Sequence, residues 1–108
     1  MGFLFETWFV RELRRLRDYG NKAHEFSFWR EANHEIDLLI MGGHGPLLAI
    51  ECKTGHDLID ARAVRAFRAR FPQVPLVVAS LHDQAPRRLA TGIDLLPWAK
   101  ALERYRAL

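Results

Sequence analysis

The spacing of apolar residues predicts how the N-terminal part of the chain folds. From Phe3 to Asp18, apolar side chains recur at a helical period, with arginines on the opposite side, which predicts an amphipathic helix. Gly20 follows as a suitable C-terminal cap. Alternating residues over 24–30 then predict a short strand. The chain therefore begins with a helix followed by a strand.

Two apolar segments separated by turn residues predict a β-hairpin. The segments read HEIDLLIM over 34–41 and LLAIECKT over 47–54, and the residues between them read GGHGP. A hairpin symmetric about His44 determines which residues of the two strands face each other. Alternation along the strands makes one face wholly apolar, and this face contains Ile36, Leu38, Ile40, Leu48, Ile50 and Cys52.

The other face of the hairpin is charged at the end far from the turn. In the symmetric register, Asp37 lies opposite Glu51, and Glu35 lies opposite Lys53. Two carboxylates about 5 Å apart repel each other by roughly 3 kcal/mol at an effective dielectric constant of about 20. A divalent cation relieves this repulsion, because magnesium binds through one or two carboxylates. The register predicts a metal site, with a solvated sheet edge and a Glu35–Lys53 pair as the alternative.

The rest of the chain predicts further helices and strands. In order, these are a helix from about Asp57 or Asp60 to Phe71, a strand over 75–81, a short helix over 85–90, a strand over 93–96 and a helix over 97–108. The strand over 75–81 is apolar throughout, which is typical of a strand covered on both faces. A sheet that contains a hairpin and is flanked by helices indicates a layered α/β domain.

Glu6 is unusual because it lies inside the apolar stripe of the first helix, beside Phe9 and Leu13. A carboxylate on a buried face is uncommon unless it has a partner. Two roles follow from this position. Glu6 either belongs to the predicted metal site or forms a salt bridge, for which Arg30 is available.

Composition narrows the class of protein. The chain has 108 residues, 49% of them hydrophobic, which suffices for one core but not for two domains. Its formal charge of +3 fits an anionic partner such as nucleic acid. The single cysteine, Cys52, excludes an internal disulfide and a multi-cysteine zinc site. Because neither a membrane span nor a signal-peptide pattern occurs, we expect a soluble cytoplasmic domain.

The charged residues resemble a known motif. Asp37, thirteen intervening residues and Glu51-Cys52-Lys53 resemble the D…(D/E)XK signature of the PD-(D/E)XK nuclease superfamily, with Ile36 where the motif has proline. Glu6 is similar to the helical acidic residue of the Holliday-junction-resolvase-like branch. The chain also resembles the C-terminal domain that follows an AAA+-type ATPase module in many prokaryotic proteins, through ordered pieces at Gly2–Leu13, Phe28–Arg30, Glu35–Asp37, Ala49–Lys53 and Ile93–Trp98.

The resemblance implies a fold and partners. The fold is a restriction-endonuclease-like three-layer α/β core of order αβββαβ, with a C-terminal strand and helix. Residues 1–108 form one such domain, the C-terminal part of a longer ATPase-containing protein, since no phosphate-binding GxxxxGK[ST] motif occurs here. DNA, an ATPase module and a second copy in a homodimer are the implied partners, with no membrane.

The resemblance also implies a chemistry for the charged residues. Asp37 and Glu51 hold Mg²⁺ or Mn²⁺, with the backbone carbonyl of Cys52 as a further ligand. Lys53 activates the attacking water and offsets charge on the phosphate, and Glu6 positions water or a second metal. The implied activity is that of a magnesium-dependent deoxyribonuclease. The alternative is a non-catalytic nuclease-like module that binds nucleic acid or protein and regulates an attached ATPase.

A basic surface is the last candidate. Arg62, Arg65 and Arg68 line the polar side of the second predicted helix. They could follow a nucleic-acid backbone. Charged helix faces are, however, commonly just solvated, and both interpretations stay open on the sequence.

Overall fold

The helices and strands occur in nearly the predicted order. The structure is a computed structural model that describes residues 2–55 and 59–108, and only the backbone of residues 2 and 3. Its elements are α1 (Gly2–Tyr19), β1 (Glu25–Glu31), β2 (His34–Gly42), β3 (Gly45–Lys53), α2 (Ala61–Arg70), β4 (Leu76–Ser80), β5 (Arg87–Arg88), β6 (Asp94–Pro97) and α3 (Trp98–Arg106). The first six elements follow the expected αβββαβ order.

One mixed sheet organises these elements. Its six strands lie in the order β1-β2-β3-β4-β6-β5. The strands β1, β2 and β3 are antiparallel, β3, β4 and β6 are parallel, and β5 is antiparallel to β6. The chain is therefore a mixed α/β fold, in which β3 joins an antiparallel half of the sheet to a parallel half.

Helices cover both faces of the sheet. On one face, α1 and α3 pack on β2, β3 and β4 through a cluster that includes Phe5, Phe9, Leu13, Leu38, Ile40, Leu48, Ile50, Val77, Ala101 and Tyr105. On the other face, α2 packs through a cluster that includes Trp29, Ile36, Leu39, Ala49, Val64, Phe67, Val78 and Leu95. No described helix has both the length and the apolar character that a membrane crossing needs.

The helix α2 begins where a capping side chain is available. The carboxylate of Asp60 accepts a hydrogen bond from the Arg62 N–H at 2.9 Å, which satisfies one free amide of the first turn. Val64 and Phe67 lie three residues apart on the helix and are both buried. Asp57, the other predicted start, lies outside the described residues.

The predicted hairpin register is confirmed over the body of the strands. Leu38 pairs with Ile50, and the next two pairs follow the same symmetry about His44. Nearer the turn the register shifts by one, because Leu47 is an extra residue on β3. Gly42 then pairs with Gly45, whose φ of 119° favours glycine.

A second irregularity changes which side chains share a face. Ser27 pairs with Leu39 and Trp29 pairs with Ile36, so both Asp37 and Leu38 lie opposite Phe28. This β-bulge shifts the alternation along β2 by one residue. The prediction that Ile36 shares a face with Leu38 is therefore wrong: Ile36 packs on the α2 side and Leu38 on the α1 side.

The predicted short helix over 85–90 is wrong. The segment contains the two-residue strand β5, which pairs with β6 at the sheet edge. Pro86 has no N–H to donate, and an ion pair of 3.1 Å joins Arg88 to Asp94 on β6. The Leu89 N–H donates to the Ile93 carbonyl, closing a turn at Gly92 with a φ of 83°. Pairing with β6 therefore replaces helical hydrogen bonding here.

Candidate active site

The two predicted carboxylates meet where β2 and β3 separate. Backbone pairing between these strands ends at Leu38 and Ile50. One residue further on, the Asp37 N–H donates to Glu51 Oε1 at 2.8 Å, and the Cys52 N–H donates to Asp37 Oδ2 at 3.0 Å. Side-chain oxygens thus replace backbone carbonyls between the strands. The structure brings Asp37 and Glu51 together, in the register that the sequence predicts.

The environment of this pair disfavours two negative charges. Glu51 is only 9% exposed. Its burial, the charge of Asp37 and a hydrogen bond between the two carboxyl groups raise the pKa of Glu51 from 4.5 to about 8. At neutral pH and without a cation, the pair therefore holds one proton. A bound cation would compensate the charge in place of that proton.

Glu6 of α1 shares a cavity with Asp37. The cavity measures about 260 Å³ and is lined by Glu6, Phe28, Arg30, Glu35, Ile36 and Asp37. Burial, then the negative charges of Asp37 and Glu35, raises the pKa of Glu6. The helix α1 thus brings an acidic group into the cavity that Asp37 lines. The alternative, a salt bridge from Glu6 to Arg30, does not occur among the described ion pairs.

Lys53 is not neutralised by Glu35. Glu35 instead forms an ion pair with Arg30 at 3.0 Å, across the β1–β2 pairing. Within residues 2–55 and 59–108, no carboxylate lies in ion-pair distance of the Lys53 ammonium. Its charge acts on Glu51, whose pKa it lowers slightly against the larger raising effects. Lys53 is half-buried, and its charge also lowers the pKa of Cys52 against larger raising effects.

Cys52 contributes its backbone to the site and its side chain to the core. The side chain packs against the apolar cluster beneath α1. Burial, then the negative charges of Asp37, Glu6 and Glu51, raises the pKa of the thiol. The thiol therefore stays protonated and cannot serve as a nucleophile. A metal-ligand role for the Cys52 carbonyl stays a prediction.

The donor set suits one kind of cation. Among the described side chains, no three of His, Cys, Asp and Glu are arranged as a ready-made metal cage. Two adjoining carboxylates remain, from Asp37 and Glu51. Magnesium is commonly held by one or two carboxylates together with water and substrate phosphates. The residues present therefore fit magnesium or manganese and do not fit a structural zinc site.

The three candidate arginines of α2 differ in their contacts. The Arg68 guanidinium donates to the Thr91 carbonyl at 2.8 Å and to the Gly92 carbonyl at 3.4 Å, so it holds the turn between β5 and β6. Arg62 and Arg65 are exposed on the outer surface of the helix. A nucleic-acid contact by these arginines stays a prediction.

Phe28 belongs to this site, although its position in the sequence did not predict a role for it. Phe28 is 59% exposed, and it lines the cavity that contains Glu6 and Asp37. The β-bulge on β2 sets Phe28 opposite Asp37. The alternation of side chains along one strand could not reveal that Phe28 lies close to Asp37, because the two residues belong to different strands.

The comparisons with known proteins give one finding. A family model described as a domain of unknown function (DUF4143) matches residues 1–101. The curated proteins and the solved structures contain no match to this chain.

Proposed function

The chain belongs to the DUF4143 family, a domain of unknown function, and we propose that it is a metal-dependent nuclease that hydrolyses DNA phosphodiester bonds. One observation carries the proposal: Asp37 and Glu51 adjoin at the open end of the hairpin, where the Asp37 N–H binds Glu51 at 2.8 Å. Two adjoining carboxyl groups, one of them buried, are a donor set that a divalent cation can use when it displaces the proton of the pair.

The fold supports the same assignment. The order αβββαβ, the mixed sheet and the helices on both faces agree with a PD-(D/E)XK core. A shared fold alone does not imply a shared activity. The assignment therefore depends on the residues of the site.

Asp37 and Glu51 are the residues that would hold Mg²⁺ or Mn²⁺, with the Cys52 carbonyl as a further ligand. A cation held by these residues would supply Lewis-acid chemistry, which would polarise the phosphate and make the attacking water more acidic. Asp37 is held for this role by the Cys52 N–H, at 3.0 Å. Such second contacts fix the orientation of a ligand carboxylate.

Two further residues act directly on the substrate in this proposal. The Lys53 ammonium stabilises the negative charge that develops on the phosphate as water attacks. Glu6, half-buried and with a raised pKa, accepts a hydrogen bond from that water and can take up its proton. Glu6 lines the same cavity as Asp37, and the charge of Lys53 acts on Glu51.

A binding role has one observation in its favour. Leu4 is 65% exposed, Trp8 38% and Trp98 37%, and the two tryptophan rings meet edge to face at 5.2 Å. Exposed apolar surface of this kind is typical of a protein contact. The alternative function is therefore a non-catalytic module that binds protein, for example an attached ATPase.

Replacing the lysine separates catalysis from metal binding. We expect Lys53→Met to slow DNA cleavage by about 100-fold or more. The ammonium group would no longer stabilise the negative charge that develops on the phosphate. Metal affinity, measured by calorimetry, should change little. Cleavage is measured on supercoiled, branched and single-stranded DNA with magnesium or manganese.

Lys100→Met is the matched control for this experiment. Lys100 is an exposed lysine of α3 that pairs with Glu103 at 3.5 Å, and its replacement should leave cleavage unchanged. A wild-type protein that binds DNA without cutting any of the three substrates would favour the non-catalytic module. Equal cleavage by wild type and Lys53→Met would show that Lys53 has no catalytic role.

A further inference from the structure

An exposed aromatic ring lies at the edge of the candidate active site. Phe28 is 59% exposed, although β1 is paired along one side with β2. Both Asp37 and Leu38 lie opposite Phe28, because of the β-bulge on β2. Adjacent strands are about 4.8 Å apart. Phe28 and Asp37, a proposed metal ligand, therefore lie on adjacent strands and line the same cavity.

Arg30 extends this aromatic surface. Its guanidinium lies 5.4 Å from the centre of the Phe28 ring, in cation–π geometry. Two hydrogen bonds to Glu35 Oε2, at 3.2 and 3.0 Å, hold it there. All three side chains line the cavity that also contains Glu6 and Asp37. A guanidinium plane held by Glu35 thus lies against the aromatic ring at the border of the carboxylate site.

The chemistry of this surface indicates what binds on it. Aromatic rings and guanidinium planes stack on nucleobases, and the adjacent carboxylates are the residues to which we assign phosphodiester hydrolysis. In a duplex, each base face is already covered by its neighbours. An unpaired or flipped base can place a face on Phe28 while its phosphate lies at Asp37, whereas a base inside a duplex cannot.

We propose that Phe28, supported by Arg30, stacks on an unpaired base next to the phosphodiester at the carboxylate site. The preferred substrate is accordingly single-stranded DNA, or DNA with an unpaired end or branch. This inference rests on the proposed nuclease function, and it adds the substrate class of the same site. Phe28 is a residue for substrate positioning, and metal binding does not depend on it.

Binding measurements on two strands of equal length test the proposal. One is a fluorescently labelled oligothymidylate, and the other is an abasic strand with the same phosphates and no bases. Fluorescence anisotropy is recorded with calcium in place of magnesium, and a denaturing gel verifies that the strands stay intact. Wild type should bind the thymidylate about tenfold or more tightly than the abasic strand.

Three variants complete the test. Phe28→Ala should lose that preference and bind both strands alike, while Phe28→Trp should keep it. Tyr19→Ala is the matched control, because Tyr19 is 96% exposed on α1 and does not line the cavity. It should bind as wild type does. Calorimetric metal titration and thermal melting show whether Phe28→Ala keeps its metal site and fold, as the exposure of Phe28 predicts.

The outcomes are separable from those of the nuclease proposal. An unchanged preference in Phe28→Ala overturns the stacking proposal, and so does a wild type that binds the two strands equally or binds neither. An equal loss of affinity for both strands also overturns it, since phosphate contacts alone would explain that loss. Base-dependent binding without any cleavage under magnesium or manganese supports the stacking surface and rejects the nuclease activity.

Discussion

Asp37→Asn is expected to reduce metal-dependent DNA cleavage by about 1,000-fold or more. The substitution removes one of the two adjoining negative charges that would hold the cation. The Asn side-chain oxygen can still accept the Cys52 N–H, which now binds Asp37 Oδ2 at 3.0 Å. The fold should therefore persist, and the loss should be one of charge. Initial rates with manganese on single-stranded and supercoiled DNA measure the effect, and thermal melting verifies the fold.

Asp94→Asn is the matched control. Asp94 is also a half-buried aspartate on a strand, and it pairs with Arg88 at 3.1 Å near the opposite edge of the sheet. Its replacement should leave the cleavage rate unchanged and cost about 1 kcal/mol of stability or less. Equal cleavage by wild type and Asp37→Asn would rule out Asp37 as a metal ligand. A similar loss of activity in both variants would point to unfolding instead.

The second large effect is a dependence of stability on pH in the metal-free protein. The pKa of Glu51 is raised from 4.5 to about 8 in the folded state, mainly by burial and by Asp37. Between these values the folded protein holds a proton that the unfolded chain has released. Protonation of Glu51 thus contributes stability below about pH 4.5, and this contribution is lost as pH rises through about 8.

Glu51→Gln should remove this dependence. The amide is neutral at every pH, so the variant should be more stable than wild type near pH 8, by on the order of a few kcal/mol. The difference between the two proteins should shrink towards pH 5. Urea unfolding at several pH values, with a chelator present, measures both curves. Groups remote from the site titrate alike in both proteins, so the difference reports Glu51 together with the neighbours that its charge affects.

The effect of magnesium on stability is a second test of the wild type and the Glu51→Gln variant. The cation should raise the stability of wild type near pH 8, since it binds only the folded state. It should have no such effect on Glu51→Gln. Parallel curves for the two proteins in the absence of metal would contradict the raised pKa of Glu51. If magnesium stabilised wild type and Glu51→Gln equally, Glu51 would not be a ligand of the cation.

Much of the sheet was predictable because its pattern is local. The pairing of Leu38 with Ile50 follows from the turn residues and the alternation of the strands. The neighbouring position of Asp37 and Glu51 follows from that register. The burial of every residue of β4 follows from its apolar run.

The remaining differences between the predicted and the observed fold arise from interactions that the alternation of apolar and polar residues does not predict. A β-bulge has no clear sequence signature, so the separation of Ile36 from Leu38 was missed, together with the approach of Phe28 to Asp37. The strand β5 forms by pairing with β6, which lies later in the chain. In the same way, Glu35 pairs with Arg30 because β1 borders β2, a neighbour that the hairpin alone does not reveal.

The most direct test of the metal site is a calorimetric titration of manganese into wild type, Asp37→Asn and Asp94→Asn at neutral pH. The predicted result is saturable binding to wild type and Asp94→Asn, with release of about one proton per ion as the cation replaces the proton held by Asp37 and Glu51. The proton is counted from the heats in buffers of different ionisation enthalpy. Asp37→Asn should show no such binding. Undetectable binding to wild type, or equal binding to all three proteins, would contradict a metal site at Asp37 and Glu51.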